Sequence, residues 1–168
     1  MKQYKFCFLI LHYQVLKETL ACVESIRKHV NQDVHYHIVI VDNASPNGSG
    51  KELLKIQNET CTVLCSDDNL GFSGGNNIGF EYAKKELHCD FICMMNNDTE
   101  ILQDNFIELV LSEYENSHFA VLGPEIHLLD ESICQYPKQV LKLHDIEGDR
   151  ERVKKLIFMN KYFLESIH

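Results

Sequence analysis

The sequence predicts an α/β domain: a three-layer α/β/α arrangement around a mostly parallel sheet. Three observations carry this. First, apolar runs of strand length recur, and Ile38-Val39-Ile40-Val41 is uninterrupted and β-branched, the pattern of a strand buried on both faces. Second, segments of helical length separate these runs, and alternating β and α units imply parallel strands joined by right-handed crossovers. Third, two of the strands end in polar, turn-rich segments, Asp42-Asn43-Ala44-Ser45-Pro46-Asn47-Gly48 and Asn96-Asn97-Asp98-Thr99-Glu100. In open α/β sheets ligands bind just beyond the carboxyl ends of strands.

Residues 4–12 read as a strand, Lys17–His29 as a helix and Tyr36–Val41 as a strand. Ser49–Gln57 reads as helical and Thr60–Cys65 as extended. Ser73–Leu87 follows as a helix with Ser73 at its N-cap, where a hydroxyl accepts from free backbone N–H groups. Asp90–Met95 is a strand, Gln103–Asn116 a helix and Ala120–Ile126 a strand. There is no internal repeat and no low-complexity segment.

A chain of 168 residues suits one domain with a real core, and 45% hydrophobic content is ordinary for a globular protein. Its net charge of −9, from 25 acidic and 16 basic residues, argues against nucleic-acid binding, which needs a basic footprint. Lys2 and Lys5 before Phe6–Leu11 imitate a signal peptide, but the run is short, meets His12 and lacks a cleavage site. Nothing approaches the ~18 apolar residues of a membrane span, so a cytoplasmic location is expected. The seven cysteines fall in strand-like contexts. Cys61 with Cys65, and Cys89 with Cys93, are spaced to share a face without the tetrahedral convergence zinc needs, so buried reduced thiols are expected. His35 and His37 also share a face and read as an edge or surface pair rather than a metal site.

A carboxylate flanked by amides at the end of a buried strand is costly without a partner. For Asp98 the choice lies between a hard divalent cation, which prefers oxygen ligands, and a helix N-cap role. A third segment, Asn69-Leu70-Gly71-Phe72-Ser73-Gly74-Gly75-Asn76-Asn77-Ile78-Gly79, is too rich in Gly and Asn to be chosen for helix propensity. Glycines there permit close backbone approach, and amides can read sugar or base edges. The glycines do not fit G-x-G-x-x-G, and no P-loop is present.

In this order and spacing, the segments resemble family 2 glycosyltransferases of the GT-A fold, rhamnosyltransferase-like members above all. Val41-Asp42-Asn43-Ala44-Ser45 is similar to the nucleotide-binding strand end. Asn69-Leu70-Gly71-Phe72 with Asn76-Asn77-Ile78-Gly79 is similar to the loop-and-helix signature. Asn96-Asn97-Asp98 stands where the family has its DxD metal motif, and Ile10-Leu11-His12-Tyr13 resembles the first strand and its nucleotide-contacting end. The resemblance covers residues 4–126 and implies the Rossmann-like, nucleotide-sugar-binding half of the GT-A fold over residues 1–126, with 127–168 a C-terminal segment of the same domain.

It further implies that His12, Tyr13, Asp42, Asn43, Asn69, Gly71, Phe72, Asn77, Asn96 and Asn97 bind a nucleotide-sugar, and that Asp98 holds Mg²⁺ or Mn²⁺. The implied reaction is inverting transfer of a sugar from a UDP- or dTDP-sugar to a polysaccharide or lipid-linked acceptor. Asn96 replaces the family's first Asp and brings no charge. No catalytic base is assigned: Asp130, Glu131, Asp145, Glu147 and Asp149 are available, but none sits in a matching motif, and residues 127–168 are too few for the usual acceptor-binding half. The alternative is a nucleotide-sugar-binding remnant that transfers nothing or needs a partner chain. A nucleotidyltransferase is a third reading, against which His12-Tyr13-Gln14-Val15 offers no Gly- and basic-rich signature.

In the tail, Val153, Leu156, Ile157, Phe163, Leu164 and Ile167 approximate a helical stripe among Arg150, Arg152, Lys154, Lys155 and Lys161. Such a helix suits three roles: covering the domain's own sheet, pairing in a homodimer, or lying peripherally on the inner, anionic face of a membrane near a lipid-linked acceptor.

Overall fold

The computed structural model describes residues 4–31, 33–124, 126–127, 133–135, 141–142 and 155–159, with side chains through residue 124. In chain order the elements are β1 (Phe6–His12), α1 (Leu16–His29), β2 (Tyr36–Asp42), α2 (Ser49–Leu53, running into a 3₁₀ turn, Leu54–Ile56), β3 (Cys61–Cys65) and α3 (Gly71–Lys85). They continue with β4 (Phe91–Asn96), α4 (Phe106–Ser117), β5 (Phe119–Leu122), β6 (Ile126–His127), β7 (Ile133–Gln135), β8 (Leu141–Lys142) and β9 (Lys155–Met159). The main sheet runs β3-β2-β1-β4-β9-β5-β8, and β6 pairs with β7 apart from it. β3, β2, β1 and β4 are mutually parallel, β9 is parallel to both β4 and β5, and β8 is antiparallel to β5.

Strand side chains alternate between faces, so the sheet sorts its apolar residues into two layers. Phe6, Phe8, Ile10, Ile38, Ile40, Phe91 and Met95 pack on one face with Cys22, Val23 and Ile26 of α1 and Phe106, Ile107 and Val110 of α4. Cys7, Leu9, Val39, Val41 and Ile92 face the other way, toward Ala83 of α3. This is the three-layer α/β/α fold. A stacked pair, Phe6 and Phe91 with ring centroids 4.7 Å apart, anchors the first layer, and Tyr114 meets Phe91 edge-on at 5.3 Å.

Helix α3 lies close on the sheet because its contact face is glycine. A Cβ on Gly79 would stand 2.1 Å from Leu9 Cδ1 and 2.9 Å from Val41 Cγ2, and one on Gly75 would stand 2.4 Å from Leu11 Cδ1. The Gly-rich segment thus serves packing as well as the loop before it.

Several expectations need correction. Helix α3 begins at Gly71, with Leu70 at the N-cap position and no side-chain cap from Ser73, which lies in the first turn. The backbone donors at this start are taken instead by Asn43 and Asn69. The tail over Lys155–Met159 is a strand, not a helix. Leu156-Ile157-Phe158-Met159 is an unbroken apolar run, which suits a strand flanked on both sides, here by β4 and β5, better than a helix with one wet face. A membrane-lying or dimer-forming helix therefore has no support over those residues, and Val153, Phe163, Leu164, Ile167 and the carboxylates Asp130, Glu131, Asp145, Glu147 and Asp149 lie outside the described residues. Cys89 and Cys93 pack on opposite faces of the sheet, because Cys89 precedes β4 and is held by a bond from its N–H to Ala83 O at 3.0 Å.

No helix among the described residues is long and apolar enough to cross a membrane.

Candidate functional site

The parallel registry brings four strand ends side by side. Cys65 of β3 pairs with Asp42 of β2, Asp42 with His12 of β1, and Leu11 with Asn96 of β4. Two loops at this edge contain non-glycine residues in the left-handed region, Gln14 at φ 65° and Ala44 at φ 59°. Such conformations persist where surrounding bonds over-determine them. Here Gln14 N–H donates to Ser45 Oγ at 2.9 Å, and Asn47 Nδ2 donates to Gln14 O at 2.8 Å. The loops after β1 and β2 are thereby stitched together.

Asp42 is 6% exposed and accepts from Ser45 N–H at 3.3 Å through Oδ1. Its other oxygen abuts α2 where only glycine fits: a Cβ on Gly50 would lie 1.9 Å from Asp42 Oδ2. Gly50→Ala is therefore expected to swing the Asp42 carboxylate out of place. If Asp42 binds a nucleotide, affinity should drop about ten- to a hundredfold, the worth of a hydrogen bond to a charged group, with the circular dichroism unchanged. Equal affinities of variant and wild type in a titration with UDP would remove Asp42 from the site.

Apart from the half-buried Asn96 and Asn97, the site residues singled out above are either exposed or buried. Tyr13 and Phe72, about two-fifths exposed, and Asn69, Asn77 and Asp98 face solvent. His12 and Asn43 are buried and turned inward. Asn43 Nδ2 donates to Asn69 Oδ1 at 2.9 Å and to Gly71 O at 3.1 Å, while its Oδ1 accepts from Leu70 N–H at 2.9 Å. Asn69 Oδ1 also accepts from Gly71 N–H at 2.9 Å, where Gly71 sits at φ 69°. Asn43 thus ties the end of β2 to the start of α3, and acts by position rather than by free donors. Asn76 is likewise committed, its Nδ2 donating to Phe72 O at 2.9 Å.

His12 is fully buried, with Nδ1 2.7 Å from Thr19 Oγ1 and Nε2 2.8 Å from Ser49 Oγ. Burial lowers its pKa from the usual 6.5, against a smaller upward pull from Asp42. Burial also lowers the pKa of His37, 2.9 Å from Thr62 Oγ1, with Lys5 adding to the effect. The unfolded chain binds these two protons more readily than the folded one. Stability from neutral His12 and His37 is therefore complete above pH 6.5 and lost as pH falls through their depressed folded values. Urea midpoints measured from pH 8 to pH 5 are expected to fall, and to fall less steeply in His37→Gln; a flat profile would contradict this.

After β4 the chain descends along α1. Asn97 Nδ2 donates to Thr19 Oγ1 at 3.1 Å, Ile101 N–H to Ser25 Oγ at 3.1 Å, and His29 pairs with Asp104 at 2.7 Å. Asp98, on this segment, makes no hydrogen bond or ion pair among the described residues. It lines a cleft of about 220 Å³ with Lys17, Glu18, Ala21 and Glu100. The buried Cys22 thiol beneath is pushed up to about 12 by burial, then by Glu100 and Asp98, so it stays protonated. Among the described residues no group of three or more His, Cys, Asp or Glu is arranged to hold a metal ion. A free, exposed carboxylate beside neutral amides still fits Mg²⁺, which keeps several waters and takes one or two carboxylates plus substrate phosphates. Asp98 would hold such an ion.

The six cysteines whose side chains are described are free thiols, five of them buried, in keeping with the reading of reduced core residues. Sequence reasoning missed Gln14, Thr19, Asn47, Ser49 and Gly50. Their roles come from partners distant in sequence, and no local pattern marks them.

Comparison with known proteins gives the family and the fold. The chain is 30% identical over 89 residues to the low-salt glycan biosynthesis hexosyltransferase Agl10 of Haloferax volcanii, covering 52% of this chain and 27% of that protein. It is 27% identical over 122 residues to the glycosyltransferase GlyG of Streptococcus pneumoniae, covering 71% of this chain and 38% of that one. It thus spans well under half the length of either relative. Its fold matches residues 1–349 of S. aureus TarS in complex with UDP-GlcNAc, with a TM-score of 0.64 at 17% identity over 78% of this chain and 37% of that one. The same protein in complex with UDP matches with a TM-score of 0.61 at 18% identity over 89% and 51% of the two chains. The family model for glycosyl transferase family 2 matches residues 7–163, nearly the whole sequence, and the chain belongs to that family.

Proposed function

We propose that this chain is the donor-binding part of a glycosyltransferase that moves a sugar from a UDP- or dTDP-sugar to a polysaccharide or lipid-linked acceptor with inversion. The observation that carries the reading is Asp42, a buried carboxylate at the carboxyl end of β2, with exposed Tyr13 on one side and the Asn96–Asp98 segment two strands away. TarS, of the same fold, has been solved with UDP-GlcNAc and with UDP, which supports a UDP-linked donor here. The name of Agl10 supports a hexose.

In this reading Asp42 accepts hydrogen bonds from the base or ribose, Tyr13 lies beside the base, and Asn77 and the Asn69–Phe72 turn orient the donor. Asp98, with Asn96 and Asn97 beside it, holds a divalent cation, Mg²⁺ or Mn²⁺. When bound, that ion supplies Lewis-acid stabilisation of the departing diphosphate. We read residues 1–126 and the tail as one domain, because β9 lies within the main sheet.

Calorimetric titration with UDP and dTDP, each with and without Mn²⁺, tests the proposal. Metal-enhanced binding of one nucleotide is expected; no binding of either by a folded sample sinks it. A second reading is that the chain binds donor but transfers nothing unaided. It is favoured by the 27% and 38% of its relatives' length that the matches cover. Sugar transfer by the isolated chain would eliminate it.

A further inference from the structure

The buried polar network around His12 has a direction. Asn47 Oδ1 accepts from Ser49 N–H at 3.1 Å, so it is an acceptor, and Ser49 Oγ lies 2.7 Å from the same atom. The single hydroxyl hydrogen of Ser49 is spent there. His12 Nε2, 2.8 Å from Ser49 Oγ, must then be the donor of that pair. A neutral imidazole carries one N–H, so Nδ1 is an acceptor, and the Thr19 hydroxyl 2.7 Å away donates to it in preference to Val15 O at 3.2 Å. Thr19 Oγ1 in turn accepts from Asn97 Nδ2 at 3.1 Å. Every hydrogen points the same way, from Asn97 through Thr19, His12 and Ser49 to Asn47, whose own amide holds Gln14 O at 2.8 Å.

We propose that His12, as the Nε2–H tautomer, is a positioning residue that locks the loop bearing Asp98 to the loop that follows Asp42 and to the loop bearing Tyr13, so that the cation and nucleotide ends of the site are set as one unit. The inference rests on the donor-binding reading above for its functional meaning, and on the ligand-free protein for its geometry. His12 touches no donor in this account; it acts through Thr19 and Ser49. A chain of satisfied buried hydrogen bonds is stiff because breaking any one leaves an unpaired polar group in a low-dielectric interior.

The link is cut on one side by Thr19→Val and kept by Thr19→Ser. In the full chain, without ligand, long-range ¹H–¹⁵N spectra at pH 7.5 are expected to report His12 as Nε2–H. T19V is expected to shift the amide signals of Ser49 and Asn47, across the imidazole, while T19S leaves them in place. With UDP and Mn²⁺, T19V is expected to lose about tenfold in affinity, the factor of one buried hydrogen bond, with T19S within about twofold of wild type. A His12 Nδ1–H tautomer, or T19V with unmoved Ser49 and Asn47 signals, overturns the proposal. Should T19V fail to fold, Ser49→Ala reads the network from its other end, through the side-chain amide of Asn97. If the wild type binds no UDP, the donor reading fails by itself, and the tautomer and ligand-free shifts still decide this one.

Discussion

Asp98→Ala is expected to abolish the metal-dependent part of UDP binding and to lower any sugar transfer about 10²–10³-fold, the usual cost of removing one preorganised electrostatic group from a reacting centre. The carboxylate is exposed, makes no bond among the described residues, and has no arranged cluster of His, Cys, Asp or Glu to take over its task. Asn96 and Asn97 are neutral, and Asn97 already donates to Thr19. Loss of Asp98 therefore removes the one charge on Asn96–Asp98, while stability should change by no more than about 0.5 kcal/mol, as for other surface positions. The check is titration of D98A with UDP in the presence and absence of Mn²⁺, beside a urea unfolding curve. An unchanged metal dependence would move the cation to another residue. Asp98→Asn separates charge from shape: it should behave like D98A if charge is what the cation needs.

Gly79→Ala is expected to destabilise the protein although it improves helix propensity. Within a helix, alanine gains about 1 kcal/mol over glycine. Against this, the new Cβ would meet Leu9 Cδ1 at 2.1 Å and Val41 Cγ2 at 2.9 Å, and both residues are fully buried. Overpacking of this kind costs about 1–3 kcal/mol, so the steric term wins. Gly79→Val should cost more, because the extra methyls enter the same gap and its propensity gain is smaller. Urea midpoints for wild type, G79A and G79V are expected in descending order. A stabilised G79A would mean that α3 stands off the sheet. Since α3 also carries Asn77 at the site's edge, the two variants should weaken UDP binding in the same order.

Much of the fold was legible because it rests on local pattern. The uninterrupted run Ile38–Val41 and the apolar strands around it announce buried parallel strands, and α1 to α4 fall where the helical segments were expected. The tail was misread for the reason that short apolar runs are ambiguous: Leu156 and Ile157 satisfy a helical stripe and a buried strand equally. Only the gap between β4 and β5, which no local pattern encodes, makes Lys155–Met159 a strand. Ser73 was misread as a cap because the true partners of the α3 start, Asn43 and Asn69, include one from a loop after β2.

By itself the sequence determined the α/β class, the family and the strand ends at which Asp42 and Asp98 stand, since these follow from periodicity and from motifs a few residues long. Only the tertiary structure decided which polar residues are free to meet a ligand. His12 and Asn43 look like ligand-binding groups in the sequence, yet their hydrogen bonds are consumed by Thr19, Ser49, Asn69 and the α3 backbone. Whether a donor or acceptor is available depends on partners brought from several strands by the crossovers, and those distances exist only once the chain is folded.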